Sequence, residues 1–81
     1  MINAGILNGD YVIVDKKNTS SNGEIAVALI HKEYATVKRF FHEDNDMVRL
    51  QPENDFMDPI MLNYKDVEVI GIVTGVFRVI K

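Results

Sequence analysis

Cysteine is absent from the 81-residue sequence. Disulfides and thiolate metal sites are therefore excluded, and so short a chain must hold its fold by packing, alone or with a partner subunit. A lack of cysteine also fits a cytoplasmic protein. Long hydrophobic runs are missing: none approaches the ~18 residues of a membrane span, and no secretory signal opens the chain. The reading is a soluble segment with no membrane partner. Positive charge is in short supply, with nine Lys and Arg against twelve Asp and Glu and a net charge of −3. That balance argues against a nucleic-acid-binding face, which is normally basic. No stretch carries a helical stripe over three turns, and there is no glycine-rich phosphate loop, repeat or interdomain linker.

What remains reads as strands and turns. The hydrophobic share of 47% is ordinary for a folded domain, so a packed core is expected. Residues 11–15 are short and β-branched, with Asn8-Gly9 before them and Asn22-Gly23 after a polar loop over 16–21. Asn-Gly suits turns because both residues tolerate positive φ. Residues 24–31 and 34–41 form the best strand pair, joined by Lys32-Glu33 as a two-residue connection. In the second of these, Tyr34, Thr36, Lys38 and Phe40 share one face, and Ala35, Val37, Arg39 and Phe41 the other. A polar loop over 42–46 leads to a strand over 47–51. Pro52-Glu53-Asn54-Asp55 is turn chemistry, residues 59–62 are a short extended piece, and residues 67–80 form a long apolar run. Gly71 and Gly75 inside that run predict a bulge or bend. The expected fold class is mostly β, a small set of curled, partly antiparallel sheets in a single domain over residues 1–81.

Candidate chemistry is sparse. The hydroxyls of Thr19, Ser20, Ser21, Thr36 and Thr74 read as turn or strand residues rather than nucleophiles. His31 and His42 flank the 34–41 strand, and no ligand stands at a metal-like spacing from either, so neither a metal nor a cofactor is expected. Glu43-Asp44-Asn45-Asp46 lacks the glycine and the terminal glutamate of a calcium loop. Lys38 lies mid-strand among Val37, Arg39, Phe40 and Phe41. Burial disfavours an ammonium ion, and a lysine serving as a general base near neutrality must lose its proton at about pH 7 instead of about 10.4. Spacing alone favours an ordinary lysine with its amine in water.

A resemblance changes that balance. Met1-Ile2-Asn3-Ala4-Gly5-Ile6-Leu7-Asn8-Gly9-Asp10 resembles the segment just after the catalytic serine in the family of LexA-type self-cleaving repressors, which also includes phage repressors and the UmuD mutagenesis protein. Residues 22–28, then Ala35-Thr36-Val37-Lys38-Arg39-Phe40, are similar to the family's next two strands. Leu50-Gln51-Pro52-Glu53-Asn54 resembles its Pro-Glu-Asn turn, with Pro59-Ile60 at the family's spacing. Residues 71–78 resemble its closing strand. The similarity runs over nearly the whole chain, in order and in register.

The resemblance implies a signal-peptidase-like β fold and a serine–lysine dyad in which Lys38 is the general base. It places the serine immediately before Met1, outside this sequence, along with the loop bearing the scissile Ala-Gly bond and the winged-helix DNA-binding domain. Ala4-Gly5 lies downstream of the serine and is not the scissile pair. The chain is thus expected to be truncated at its amino end and proteolytically inactive alone. The resemblance further implies a RecA–single-stranded-DNA filament as the stimulus, DNA contact only through the missing domain, and a homodimer paired through residues 73–80. There Val73, Gly75, Phe77 and Val79 alternate with Thr74, Val76, Arg78 and Ile80. The competing reading is a non-catalytic β module that binds a partner through a sheet edge.

Overall fold

A computed structural model of the chain describes residues 9–53 and 56–79. Met1 to Asn8, Asn54, Asp55, Ile80 and Lys81 lie outside the described residues, and with them the Ala4-Gly5 pair, the start of the chain and the end of the 73–80 segment.

Among the described residues six strands, β1 (Tyr11–Lys16), β2 (Ile25–Ile30), β3 (Tyr34–Glu43), β4 (Met47–Gln51), β5 (Ile60–Asn63) and β6 (Val67–Phe77), form one sheet in the order β1-β6-β2-β3-β4-β5. Every pairing is antiparallel. The mostly-β expectation holds, but one open sheet replaces the several partly antiparallel ones anticipated. The reason is connectivity: short turns join β2 to β3 and β3 to β4 and pair them antiparallel, β5 returns against β4, and β6 fills the place between β1 and β2.

Alternation decides which face is inside. In β2, Ala26, Ala28 and Ile30 are buried, and in β4, Val48 and Leu50. Phe40 from β3 and Val69 and Ile72 from β6 complete the core, with Ile60, Leu62 and Val67 packed at its margin. Val69 and Ile72 are three residues apart, yet both face inward. The register shift explains this: Ala28 pairs with Val69 and Val27 with Gly71, so Ile70 is an extra residue that reverses the alternation. A second shift sets Ile13 against Gly75 and Val14 against Val73, leaving Thr74 extra. Each bulge directly precedes one of the two glycines, as the sequence predicted. Leu50 has no exposed surface, so Leu50→Ala should cost about 2–5 kcal/mol in lost packing and cavity. Urea denaturation of the variant checks this.

The turns differ in detail from expectation. The β2–β3 connection is His31-Lys32-Glu33, with His31 at φ 51° and Lys32 at φ 58°, and the Glu33 amide donates to the Ile30 carbonyl at 3.0 Å. His31 is of a type enriched in the left-handed region and Lys32 is not; the connection is one residue longer than the Lys32-Glu33 pair expected, because His31 leaves β2. The β3–β4 turn puts Asn45 and Asp46 at φ 62° and 59°, residue types that adopt this conformation readily. β3 also runs two residues further than expected, which places His42 within the strand.

A 3-10 turn, Tyr64–Asp66, links β5 to β6. The Asn63 side chain caps it by accepting from the Lys65 amide. The Tyr64 amide donates to the Asp46 carbonyl and the His31 amide to the Asp66 carbonyl, at 2.9 and 2.8 Å. The turn therefore ties the β3–β4 hairpin tip to the β2–β3 tip and holds the sheet in a curl.

Candidate active site

Lys38 pairs with Ala26 and Thr36 with Ala28, so both side chains rise on the face where the two alanines are buried. Residues two apart on a strand share a face, and here the Lys38 amine donates to Thr36 Oγ1 at 2.6 Å and to the Val37 carbonyl at 3.3 Å. The side chain is half-buried. Desolvation pushes its pKa below the ordinary value of 10.5. The small alanines beneath it leave the amine room on the inner face, and its partners there are neutral oxygens rather than carboxylates. A lysine so placed releases its proton more readily than one paired with an acid, which is the property a general base requires.

The structure brings Thr36 to Lys38, a contact that the i, i+2 spacing permitted but that the sequence reading left as an ordinary strand position. The other candidates lie with different partners. The buried Ser20 hydroxyl donates to the Ser21 carbonyl at 3.1 Å, and the Ser21 amide donates to Glu24 Oε1 at 2.7 Å. These are turn contacts within the loop that precedes β2. His42 lies 2.9 Å from the Ser20 carbonyl through Nε2, its ring stands edge-on to Phe40, and its amide donates to Asn22 Oδ1 at 2.7 Å. It pins the polar loop to β3. His31 sits 3.7 Å from Asp66 at the curled end of the sheet. The Thr74 hydroxyl donates to the Ile13 carbonyl at 3.3 Å beside its bulge. Thr19 is exposed. Glu43 lies 2.9 Å from Arg49, whose guanidinium covers the Phe41 ring at 4.3 Å. Among the described residues no three His, Cys, Asp or Glu side chains converge on a metal-sized site, and no helix is long and apolar enough to cross a membrane.

The sequence reading missed the side chain next to the lysine. Arg39 points to the opposite face, where its Nη1 donates to the Gly23 carbonyl at 2.6 Å and its Nε to Glu53. It joins the turn entering β2 to the chain leaving β4. A cation and an anion fourteen residues apart, across a strand and its turn, give no local signal.

The 73–80 segment is only partly described. β6 is an interior strand, flanked by β1 over residues 71–77 and by β2 over residues 67–72. From Val73 onward its β2-side flank has no partner strand among the described residues.

Comparison with known proteins follows the same line. A LexA repressor of Clostridioides difficile is 73% identical over 81 residues, all of this chain and 38% of that protein. A LexA repressor of Lactobacillus delbrueckii subsp. bulgaricus is 63% identical over 78 residues, covering 96% of this chain and 36% of its own. One of Bacillus velezensis is 56% identical over 80 residues, covering 99% and 37%. The chain thus spans little more than a third of the length of these relatives. A family model described as Peptidase S24-like matches residues 1–74, the stretch that runs through Lys38 and into β6, and by that match the chain belongs to the Peptidase S24-like family.

Proposed function

We propose that this chain is the later part of the self-cleaving, dimerising domain of a LexA-type repressor of the DNA-damage response. Lys38 is the general base that takes the proton from a serine as it attacks a peptide carbonyl. That serine stands immediately before Met1 in the full-length protein, and the 81 residues alone are inactive. The carrying observation is the half-buried amine of Lys38, with its lowered pKa and its bond to Thr36. The 73% identity with a LexA repressor over all 81 residues of this chain supports the same reading. Cutting separates DNA-binding heads from the dimerising part, and two linked heads bind DNA far more tightly than one. A RecA–single-stranded-DNA filament stimulates the cut, in the cytoplasm. The direct test is self-cleavage of the full-length protein in alkaline buffer with and without Lys38.

The dimer contact is the segment from Val73 to Ile80. Its support is the flank of β6 beyond Ile72, which has no partner strand on the β2 side among the described residues, beside the exposed side chains of Val76, Phe77 and Val79. An open strand flank with apolar neighbours invites pairing with a second copy. Sedimentation of the chain should give a dimer that Val76→Lys weakens; a monomer at high micromolar concentration overturns this contact.

A further inference from the structure

We propose that the Arg39–Glu53 ion pair is a positioning clamp for Lys38, tying the chain that leaves β4 onto β3 and fixing the strand immediately after the lysine. The inference deepens the reading of Lys38 as a general base and rests on it.

The pairing pattern carries the argument. β3 pairs with β2 from Arg39 down to Tyr34, but with β4 only from Glu43 as far as Arg39, opposite Gln51. Continuing that register would set Lys38 against residue 52, which is Pro52. Proline has no amide hydrogen to donate, so the ladder stops there. The flank of β3 over residues 34–38 is consequently without a β4 partner among the described residues. Pro52 is buried, and Glu53 next to it is drawn onto Arg39. The same guanidinium holds the Gly23 carbonyl at 2.6 Å. The Gly23 amide in turn donates to the Phe40 carbonyl at 2.8 Å, and the Phe40 amide to the Glu24 carbonyl at 2.9 Å. Lys38 is thus followed by Arg39, fixed to segments on both sides of the strand, and by Phe40, bonded through its backbone to Gly23 and Glu24. The Arg39 and Glu53 side chains are 32% and 20% exposed, shielded enough that water does not replace the pair at little cost, unlike a surface ion pair. A planar guanidinium suits this double role, since its fork reaches a carbonyl and a carboxylate together.

The test uses the full-length, serine-containing protein and follows self-cleavage against pH. With Glu53→Gln, the strand loosens, water reaches the Lys38 amine and its pKa climbs back toward 10.5. The expected result is a rate about tenfold lower near pH 8 and a pH midpoint about one unit higher. The charge swap Arg39→Glu with Glu53→Arg should recover most of the rate that Arg39→Glu alone loses. Unchanged rate and midpoint in Glu53→Gln overturn the clamp. So does a lowered melting temperature with an unmoved midpoint, since that is a merely structural effect, and so does a swap no better than its single parent. Lys38→Ala is run in parallel. If it cleaves like the wild type, the reading of Lys38 fails; if it is dead while Glu53→Gln is unaffected, only the clamp fails.

Discussion

Lys38→Ala in the full-length protein should lower the rate of self-cleavage at least a hundredfold while leaving the fold and self-association intact. The magnitude follows from what a positioned base contributes, typically 10²–10⁴ in rate. The direction with pH follows from the lowered pKa of the amine. Only the neutral amine accepts a proton, so the wild-type rate rises as pH climbs through the folded-state pKa and levels off above it. The alanine variant has no such rise. Stability changes little, because the lysine rests on Ala26 and Thr36 rather than within the apolar cluster. Time courses of the cleaved fragments on gels between pH 6 and 11 measure both quantities. Cleavage by Lys38→Ala at the wild-type rate would remove the general base from the proposal.

Gly71→Ala should strongly destabilise the pairing of β1 with β6, whereas Gly75→Ala should be nearly silent. A Cβ on Gly71 would lie 2.2 Å from Val14 Cγ1 and 2.9 Å from the Asp15 carbonyl oxygen. The valine can be displaced, but the second obstacle is backbone of the paired strand, so β1 itself must shift. Overpacking of this kind costs about 1–3 kcal/mol or more, and the backbone clash puts Gly71→Ala at the upper end. For a domain of this size, about 3 kcal/mol lowers Tm by roughly 12–24 °C. At Gly75 the nearest atom is the tip of Ile13, Cδ1 at 3.2 Å, which can rotate away. Thermal denaturation of the two variants side by side tests the contrast; equal melting temperatures would show that β1 does not lie where Gly71 meets it.

Most of the strands were legible because period-two alternation survives in residues such as Ala26, Ala28 and Ile30 or Val48 and Leu50. The two glycines of β6 announced their bulges for a local reason: a residue without Cβ permits the close approach that a bulge creates. The number of sheets was not legible. The place of β6 between β1 and β2 depends on pairings up to 66 positions apart, such as Tyr11 with Phe77, and no local pattern encodes them. The β2–β3 turn is one residue longer than the Lys32-Glu33 pair expected because a tertiary contact, the bond from the His31 amide to the Asp66 carbonyl, takes His31 out of β2. At the site, composition favoured a solvated Lys38, and only the resemblance singled it out. Thr36 beneath the amine and Arg39 behind it became visible once register fixed which face each side chain occupies.

The sheet order also governs how the molecule is made. β1 is synthesised first and β6 last, yet β6 lies between β1 and β2. Until residues 67–77 leave the ribosome, the meander of β2 to β5 has an unprotected margin at β2, and β1 has no neighbour. Such margins recruit other nascent chains. Late arrival of the keystone strand makes the half-built sheet a substrate for chaperones, and a message broken ahead of the stretch that encodes β6 should yield inclusion bodies instead of a smaller soluble fold.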